Sequence, residues 1–347
     1  MTAFFQAVIE GFYGRAWSWP VRCGYASFLA ANNYDAYIYA PKSDAYLRSQ
    51  WRKPLPPEHY LQLQKLAACY QRAGVKWGLG LSPAELFRDY SANDQALLKA
   101  KLDAINALQP DILCILFDDM PGDFPDLAQR QLTIVADILS HSHAAHHIVC
   151  PSYYSFDPVL EEIFGAMPSD YLQQLGASLP SEVDVFWTGD KVISPSISPA
   201  SLAKIQHILK RKPLVWDNGF ANDGKKTADY LPLMKVQGRD SSLLSSSAGV
   251  VINPMNQAHI AKLALQAYSS VLHGGTARLL DYCVAPDLRL LLQRDLHLFS
   301  QQGLAALSSQ QIRQLLNDYE RIQHPIAEDV TAWLSGAYRF DPNCLTG

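Results

Sequence analysis

Charged side chains are scarce in this sequence, and they leave little net charge. Asp, Glu, Lys and Arg make up 18% of the 347 residues, with a formal net charge of −4 at pH 7. Nucleic acids and anionic membranes bind strongly basic surfaces, so the composition predicts neither kind of partner. No apolar run is long enough to span a bilayer, and the first residues, MTAFFQAVIEGFYG, lack the basic and apolar regions of a signal peptide.

Closely spaced cysteine pairs, which mark many metal and redox sites, are also absent from the sequence. The cysteines are widely scattered, form no C-x-x-C, and in several cases lie inside apolar runs. This pattern is typical of free, buried thiols in a reducing compartment, so we expect a cytoplasmic protein. The cysteines are Cys23, Cys69, Cys114, Cys150, Cys283 and Cys344.

What the sequence does contain is enough apolar material for a large core. Hydrophobic residues make up 48% and aromatic residues 11% of the chain, which is typical of an enzyme rather than of a disordered protein. The length fits one large domain, or one domain with an appendage. The sequence shows no internal repeat and no low-complexity linker.

Eight short apolar runs alternate with longer segments of helical periodicity. The runs show little polar alternation, as expected for strands that are buried on both faces. Predicted strands cover residues 4–12, 34–42, 75–83, 111–119, 146–154, 183–189, 213–219 and 248–254. Predicted helices cover residues 21–33, 59–74, 93–108, 125–141, 169–179, 198–211 and 256–275, with a weaker helical pattern over 227–235.

Eight strand–helix units within residues 1–275 predict an α/β fold, a (β/α)8 TIM barrel. Residues 276–347 have helical periodicity alone, and we predict a helical C-terminal extension. This extension could close the barrel, shape the cleft or form a homodimer, and the sequence leaves the three open. The competing architecture is a doubly wound open sheet. However, neither G-x-G-x-x-G nor a P-loop follows the first strand, which disfavours a nucleotide-binding version of it.

Polar and aromatic side chains follow most of the predicted strands. The carboxyl ends of barrel strands meet at one rim, so these side chains should converge on one site. Aromatic faces can stack on the C–H faces of a sugar, while acids and amides can hydrogen-bond its hydroxyls. In strand order the side chains are Glu10, Tyr13 and Arg15; Lys42 and Asp44; Asp118 and Asp119; Tyr153 and Tyr154; Trp187, Thr188 and Asp190; Trp216, Asp217, Asn218, Asn222 and Asp223; and Asn253 and Asn256.

The stretch LCILFDDM (113–120) runs an apolar strand directly into two adjacent acids, Asp118 and Asp119. Glycoside cleavage needs a proton for the leaving oxygen and negative charge near the developing oxocarbenium ion. Repulsion between the two carboxylates should separate their pKa values and leave one protonated more readily. Both can face one pocket only where the strand gives way to a loop. No separate nucleophile stands out, which indicates that the substrate's own acetamido oxygen attacks.

The chain resembles the family 84 glycoside hydrolases, the β-N-acetylglucosaminidases that include the O-GlcNAc hydrolases. Seven segments carry the resemblance in the family's order, and they span roughly the first 270 residues. These segments are VIEGFYGRAWSW (8–19), YIYAPKSDAYLRSQWR (37–52), LFDDM (116–120), CPSYY (150–154), VDVFWTGDKV (183–192), VWDNGFAND (215–223) and GVVINP (249–254). The resemblance implies a substrate with terminal N-acetylglucosamine, such as a glycoprotein, and no cofactor or metal.

The resemblance also implies a role for each matching residue. Asp118 would orient the acetamido group, and Asp119 would be the general acid and base. Nine further residues would contact the sugar, with Tyr154 and Trp216 at the acetamido group and Asp223 at the outer hydroxyls. The nine are Gly11, Lys42, Tyr154, Thr188, Val192, Trp216, Asn218, Asp223 and Asn253. The sequence departs from the family pattern at Ser43, at Tyr153 and in GFAND, so the resemblance does not identify which leaving group the enzyme prefers.

Other interpretations compete with these. The enzyme could be an endo-acting glycosidase on a polysaccharide such as hyaluronan, which predicts a long cleft, or the barrel could bind sugar without cleaving it. Lys42 could be an ion-pair partner of Asp44, and Asp217 could be a buried structural acid. The histidine-rich HSHAAHH (141–147) matches no metal motif, and we expect a solvated loop on the non-catalytic side.

Overall fold

The computed structural model describes residues 4–346, and its centre is a closed barrel of eight parallel strands in sequence order. The last strand pairs with the first, with Phe5 beside Gly249, which closes the barrel. This confirms the predicted (β/α)8 fold. The strands are β1 (Phe5–Glu10), β2 (Ala36–Tyr39), β3 (Lys76–Leu81), β4 (Ile112–Leu116), β5 (His146–Cys150), β6 (Asp184–Trp187), β7 (Leu214–Asp217) and β8 (Gly249–Ile252).

The strands form a barrel because nearly all of their side chains are apolar and both faces are covered. Every residue of β4, with the sequence ILCIL, is buried. One face of such a strand points into the barrel and the other lies under a helix. In β3 a side chain at Gly80 would place its Cβ 2.6 Å from that of Ala40, so glycine permits the close approach of β2 and β3.

Helices follow the strands and pack around the barrel. Their ends carry familiar signals: α2 has Pro57 in its first turn and ends at Gly74 with φ of 69°, and Ser91 caps the amide of Asp94 at the start of α3. Between β5 and β6 there are two helices where we predicted one. The helices are α1 (Trp19–Ala31), α2 (Pro57–Ala73), α3 (Ala92–Asn106), α4 (Leu127–His141), α5 (Val159–Phe164), α6 (Tyr171–Ser178), α7 (Pro199–Leu209), α8 (Leu243–Ser246), α9 (Ala258–Leu272), α10 (Pro286–His297), α11 (Ser309–Tyr319) and α12 (Pro325–Leu334).

The weak helix predicted over residues 227–235 is wrong. This segment forms turns and an extended stretch, and the short α8 lies between β7 and β8 instead. Pro232 disfavours helical geometry at the residue before it. The segment makes its backbone hydrogen bonds to a distant part of the chain, from Leu231 N to Phe299 O (2.9 Å) and from Leu304 N to Asp229 O (2.9 Å). Tertiary contacts therefore replace the local helix.

The expectation of six free thiols is also wrong, because Cys23 and Cys69 form a disulfide. The two residues lie on α1 and α2, whose packing brings their Cα atoms to 5.5 Å, within the range of disulfides. Cysteines separated by 46 residues on different helices give no local sign of pairing. Cys114, Cys150 and Cys283 are buried thiols, as expected.

The C-terminal helices pack onto the barrel rather than standing apart from it. Asp329 of α12 accepts the free backbone amides of His259 (2.7 Å) and Ile260 (3.1 Å) at the start of α9. The indole of Trp333 is buried and donates to Ala228 O. The division into domains 1–275 and 276–347 stays a prediction, and residues 1–3 and 347 of those ranges lie outside the described residues.

Candidate active site

A pocket opens at the carboxyl ends of the strands, and all eleven predicted site residues line it. The same pocket also receives six residues that the sequence did not assign to the site. The predicted residues are Gly11, Lys42, Asp118, Asp119, Tyr154, Thr188, Val192, Trp216, Asn218, Asp223 and Asn253. The additional ones are Tyr13, Cys150, Ile193, Ala221, Cys344 and Thr346.

The backbone after β4 turns both acids toward this pocket. The strand ends at Leu116, and Asp119 adopts a left-handed conformation with φ of 57°. A regular strand would direct the two neighbouring side chains to opposite faces. Asp tolerates the left-handed region better than most residues, and the cost of such a conformation is typical of functional sites. The turn therefore places two carboxylates in one pocket.

Asp118 has one oxygen that is paired and one that is not. Its Oδ2 forms a buried ion pair with the ammonium of Lys42. Its Oδ1 is buried and has no hydrogen-bond partner among the described residues. An unpartnered buried carboxylate oxygen is costly unless a ligand supplies a donor. Because Asp118 lines the pocket, this spare acceptor is suited to a hydrogen bond from a bound molecule.

Asp119 is held by donors on both oxygens. Tyr13 donates its hydroxyl to Oδ2 (2.8 Å), Tyr154 donates to Oδ1 (2.9 Å), and Lys42 Nζ lies 3.6 Å from Oδ2. Burial raises the pKa of Asp119, but the charges of Lys42 and Arg48 and the two hydroxyls outweigh it and hold the pKa below its usual range. In the empty pocket Asp119 is therefore ionised at neutral pH, although repulsion from Asp118 would favour its protonated form.

Trp216 forms one wall of the pocket, and three small or polar residues hold it there. Its indole donates to Asn218 Oδ1 (2.8 Å), which also accepts from Asn253 Nδ2 (3.0 Å). Asn253 Oδ1 in turn accepts from Gly11 N (3.1 Å). A Cβ at Gly11 would lie 2.5 Å from the ring of Trp216, so only glycine leaves this ring in place. The wall is therefore rigid and flat, as a sugar ring or an acetamido group requires.

Asp223 lies at the far side of the pocket and is nearly fully buried. Its Oδ2 accepts from the backbone amide of Tyr13 (2.6 Å). Burial raises the pKa of Asp223, and the amide of Tyr13 offsets only part of that shift. A buried carboxylate that still has accepting capacity favours a ligand with hydroxyl donors.

Sequence reasoning missed Arg48, and it named Tyr13 only among the polar strand-end residues, without a role in the site. Arg48 Nη1 donates to the Tyr13 hydroxyl (2.8 Å), which itself donates to Asp119. Both residues stand inside segments that carry the family resemblance, and Tyr13 also follows the first strand. Their positions could have identified them as candidate site residues, although the hydrogen bonds that connect them to Asp119 could not be read from the sequence.

The structure decides several competing interpretations. Asp217 is a structural acid: it accepts from Arg239 through both oxygens (2.6 and 2.8 Å) and from the Tyr268 hydroxyl (2.7 Å). Lys42 pairs with Asp118 rather than with Asp44. Trp187 is fully buried in the core.

The histidine-rich stretch ends α4 and begins β5, away from the pocket. Within residues 4–346, no three His, Cys, Asp or Glu side chains are placed to share a metal ion. In the same part of the chain, no helix combines the length and the apolar character needed to cross a membrane.

A closed (β/α)8 barrel with paired carboxylates at its carboxyl rim has the architecture of a barrel glycoside hydrolase. The sequence model described as beta-N-acetylglucosaminidase matches residues 6–278. The chain belongs to this family, the family 84 glycoside hydrolases, which confirms the resemblance.

Known proteins similar to this chain carry related names. The protein O-GlcNAcases of Rattus norvegicus and Mus musculus are each 29% identical over 260 residues, which cover 72% of this chain and 28% of the relative. The chain thus spans little more than a quarter of these relatives' length. A solved structure of a mutant Thermobaculum terrenum O-GlcNAc hydrolase superimposes with a TM-score of 0.78 at 25% identity, over 96% of this chain and 81% of that one.

Proposed function

We propose that this protein is a retaining exo-β-N-acetylglucosaminidase that acts by substrate assistance through an oxazoline intermediate. The observation that carries the proposal is the acid pair in the pocket, with Asp118 Oδ1 buried and lacking a partner among the described residues. The names of the similar proteins agree with a substrate that carries O-linked N-acetylglucosamine.

In the first step Asp118 Oδ1 accepts the N–H of the substrate's 2-acetamido group and takes up its proton as the carbonyl oxygen attacks C1. The bond between C1 and the glycosidic oxygen breaks, and Asp119 gives its proton to that oxygen. In the second step the Asp119 carboxylate takes a proton from water, which attacks C1 and opens the oxazoline, while Asp118 returns its proton to the nitrogen. Two inversions at C1 give net retention.

The proton on Asp119 must arrive with the substrate, since the pKa of this group is lowered in the empty pocket. A bound sugar expels water and draws the Lys42 ammonium toward its hydroxyls. Both changes favour the neutral carboxylic acid, which raises the pKa of Asp119 toward the working pH. Tyr13 and Tyr154 keep the carboxyl oriented in either protonation state.

Exo action is supported by the shape of the pocket. Asp223 and Asn253 line the same pocket as the acid pair, and their acceptor and donor groups would bind the outer hydroxyls of a terminal sugar. An endo-acting enzyme needs a cleft that continues past these residues. The acid pair disfavours a barrel that only binds sugar, because such a protein gains nothing from two neighbouring carboxylates that repel each other.

A cytoplasmic location and a homodimer belong to the same proposal. The disulfide between Cys23 and Cys69 disfavours the first, since reducing compartments keep thiols free, and the thiol count of the native protein decides it. Six titratable thiols in denatured protein from the native compartment would agree with the cytoplasm, whereas four would contradict it. Sedimentation at several concentrations would decide the homodimer.

The proposed function is tested by hydrolysis of an aryl N-acetyl-β-D-glucosaminide alongside its N-trifluoroacetyl analogue. We expect a steep fall in kcat/KM with the fluorinated group, because its carbonyl oxygen is a poorer nucleophile. Equal rates would indicate a protein nucleophile and contradict the assigned roles. No turnover of either compound by an intact, folded chain would contradict the proposed activity.

A further inference from the structure

Residues 341–346 of the chain itself reach into the candidate pocket, where Cys344 and Thr346 line the wall. The segment begins with a turn in which Asp341 Oδ1 accepts from Asn343 N (2.9 Å) and Asp341 O accepts from Cys344 N (2.9 Å). It then continues toward the catalytic acids. Nothing in the helical periodicity of the preceding region indicates such a course.

The segment contacts residues that should bind substrate. At one end, Asp341 N donates to Asp223 O (3.4 Å) and Asp341 Oδ2 accepts from Gly14 N (3.3 Å). At the other, Thr346 lines the pocket with Tyr154, where its side chain offsets part of the rise in the pKa of Tyr154, and the Tyr154 hydroxyl donates to Asp119. The segment therefore crosses the pocket from the side of the outer hydroxyls to the side of the acid pair.

Little room remains beside this segment. The free space in the pocket is about 50 Å³. A single buried water needs roughly 10–15 Å³ of such space, so only a few water molecules fit. A pyranose with its acetamido group takes the place of more water molecules than these few. The segment and the substrate thus require overlapping parts of the pocket.

We propose that residues 341–346 are an intramolecular competitor of the substrate, with Thr346 placed beside Tyr154 in the pocket. The proposal rests on the proposed function for the identity of the substrate. Substrate binds only when the segment has swung out, so the apparent dissociation constant is the intrinsic one divided by the open fraction. The segment then weakens binding without changing the chemistry of the bound complex.

The test compares the full chain with a deletion of residues 341–347 and with Thr346→Val. We expect KM for an aryl N-acetyl-β-D-glucosaminide to fall about threefold to tenfold on deletion, and less for Thr346→Val, with kcat unchanged. Thr133→Val, at an exposed threonine on α4, is the matched control and should change neither constant. A peptide with the sequence of residues 340–346, FDPNCLT, should inhibit the deletion variant competitively.

A second measurement separates this proposal from the proposed function. Calorimetry gives the Kd of N-acetylglucosamine for the full chain and for the deletion variant, with thermal unfolding to confirm that both are folded. A lower Kd after deletion supports competition. An equal or higher Kd overturns it, whether or not the chain hydrolyses any glycoside. Turnover by neither protein contradicts the proposed function instead.

Discussion

Two buried acidic sites lie at the carboxyl end of the barrel, the Asp118–Asp119 pair after β4 and Asp217 at the end of β7. Both oxygens of Asp217 accept hydrogen bonds. Arg239 donates to each of them, the Tyr268 hydroxyl donates to Oδ2, and the amide of Gly219 donates to Oδ1 (2.8 Å). Burial raises the pKa of Asp217, but these partners outweigh it and the net pKa is lowered. In contrast, one oxygen of Asp118 lacks a partner among the described residues.

The difference between the two sites shows how a catalytic acid can be told from a structural one. Both follow apolar strands, both are buried, and both include a cationic partner. Burial and charge therefore do not separate them. What separates them is an unused hydrogen-bond acceptor in a residue that lines the pocket. Asp217 has donors on both oxygens and does not line the pocket, whereas Asp118 lines it and keeps one oxygen for a ligand.

The largest expected effect concerns the pair. Asp119→Asn removes the proton donor, and Asp118→Asn removes the acceptor for the acetamido N–H. We expect each to lower kcat for substrates with poor leaving groups by about 10²–10⁴-fold. We also expect some loss of thermal stability, because the buried Lys42 ammonium keeps only one of its two carboxylate partners. Steady-state kinetics and thermal unfolding measure this. Asp190→Asn, an exposed acid after β6, is the control. Full activity of Asp119→Asn on a poor leaving group would remove Asp119 from its role.

The next effect concerns Asp217 and is expected in stability rather than in chemistry. Asp217→Asn leaves the Arg239 guanidinium buried beside a neutral amide, and we expect a loss of about 3–5 kcal/mol in the free energy of unfolding. Denaturant titration measures it. The folded fraction should keep its kcat. A variant of normal stability but no activity would erase the distinction between the two sites.

A smaller effect is expected at Gly11, where the absence of a side chain leaves room for the Trp216 ring in the pocket wall. Gly11→Ala would place a methyl group 2.5 Å from the Trp216 ring and force that ring to move. We expect KM to rise about tenfold, as for a displacement costing about 1–3 kcal/mol in a packed site. Gly24→Ala, whose Cβ would meet nothing within 4 Å, is the matched control. Equal KM values for the two variants would show that the wall does not contact substrate.

The smallest effect is expected in the pH profile. Tyr13 stabilises the ionised form of Asp119, so Tyr13→Phe raises the pKa of Asp119. The general acid is active when protonated, and its pKa is raised only in the substrate complex. The alkaline limb of kcat, which reports that complex, should therefore move to higher pH by up to about one unit. Tyr90→Phe, which removes a hydroxyl that bonds Asp137 far from the pocket, is the control. A shift to lower pH would contradict the assignment of Asp119.

The sequence by itself determined the barrel, because eight apolar runs separated by helical segments leave few other ways to bury both faces of a parallel sheet. It also located the pocket, since strand ends meet at one rim. Asp118, Asp119 and the nine matched residues lie there. The barrel and the position of its rim follow from local periodicity and from the order of elements along the chain, whereas the nine matched residues were implied by the family resemblance.

Only the tertiary structure decided which groups are paired. Lys42 is 76 residues from Asp118, and Cys23 is 46 residues from Cys69, so no local pattern indicates either contact. The same holds for the stretch over 227–235, whose backbone bonds to residues far along the chain instead of forming a helix, and for the segment 341–346 in the pocket. Partner choice depends on which side chains packing brings within hydrogen-bond distance, and packing is a property of the whole fold.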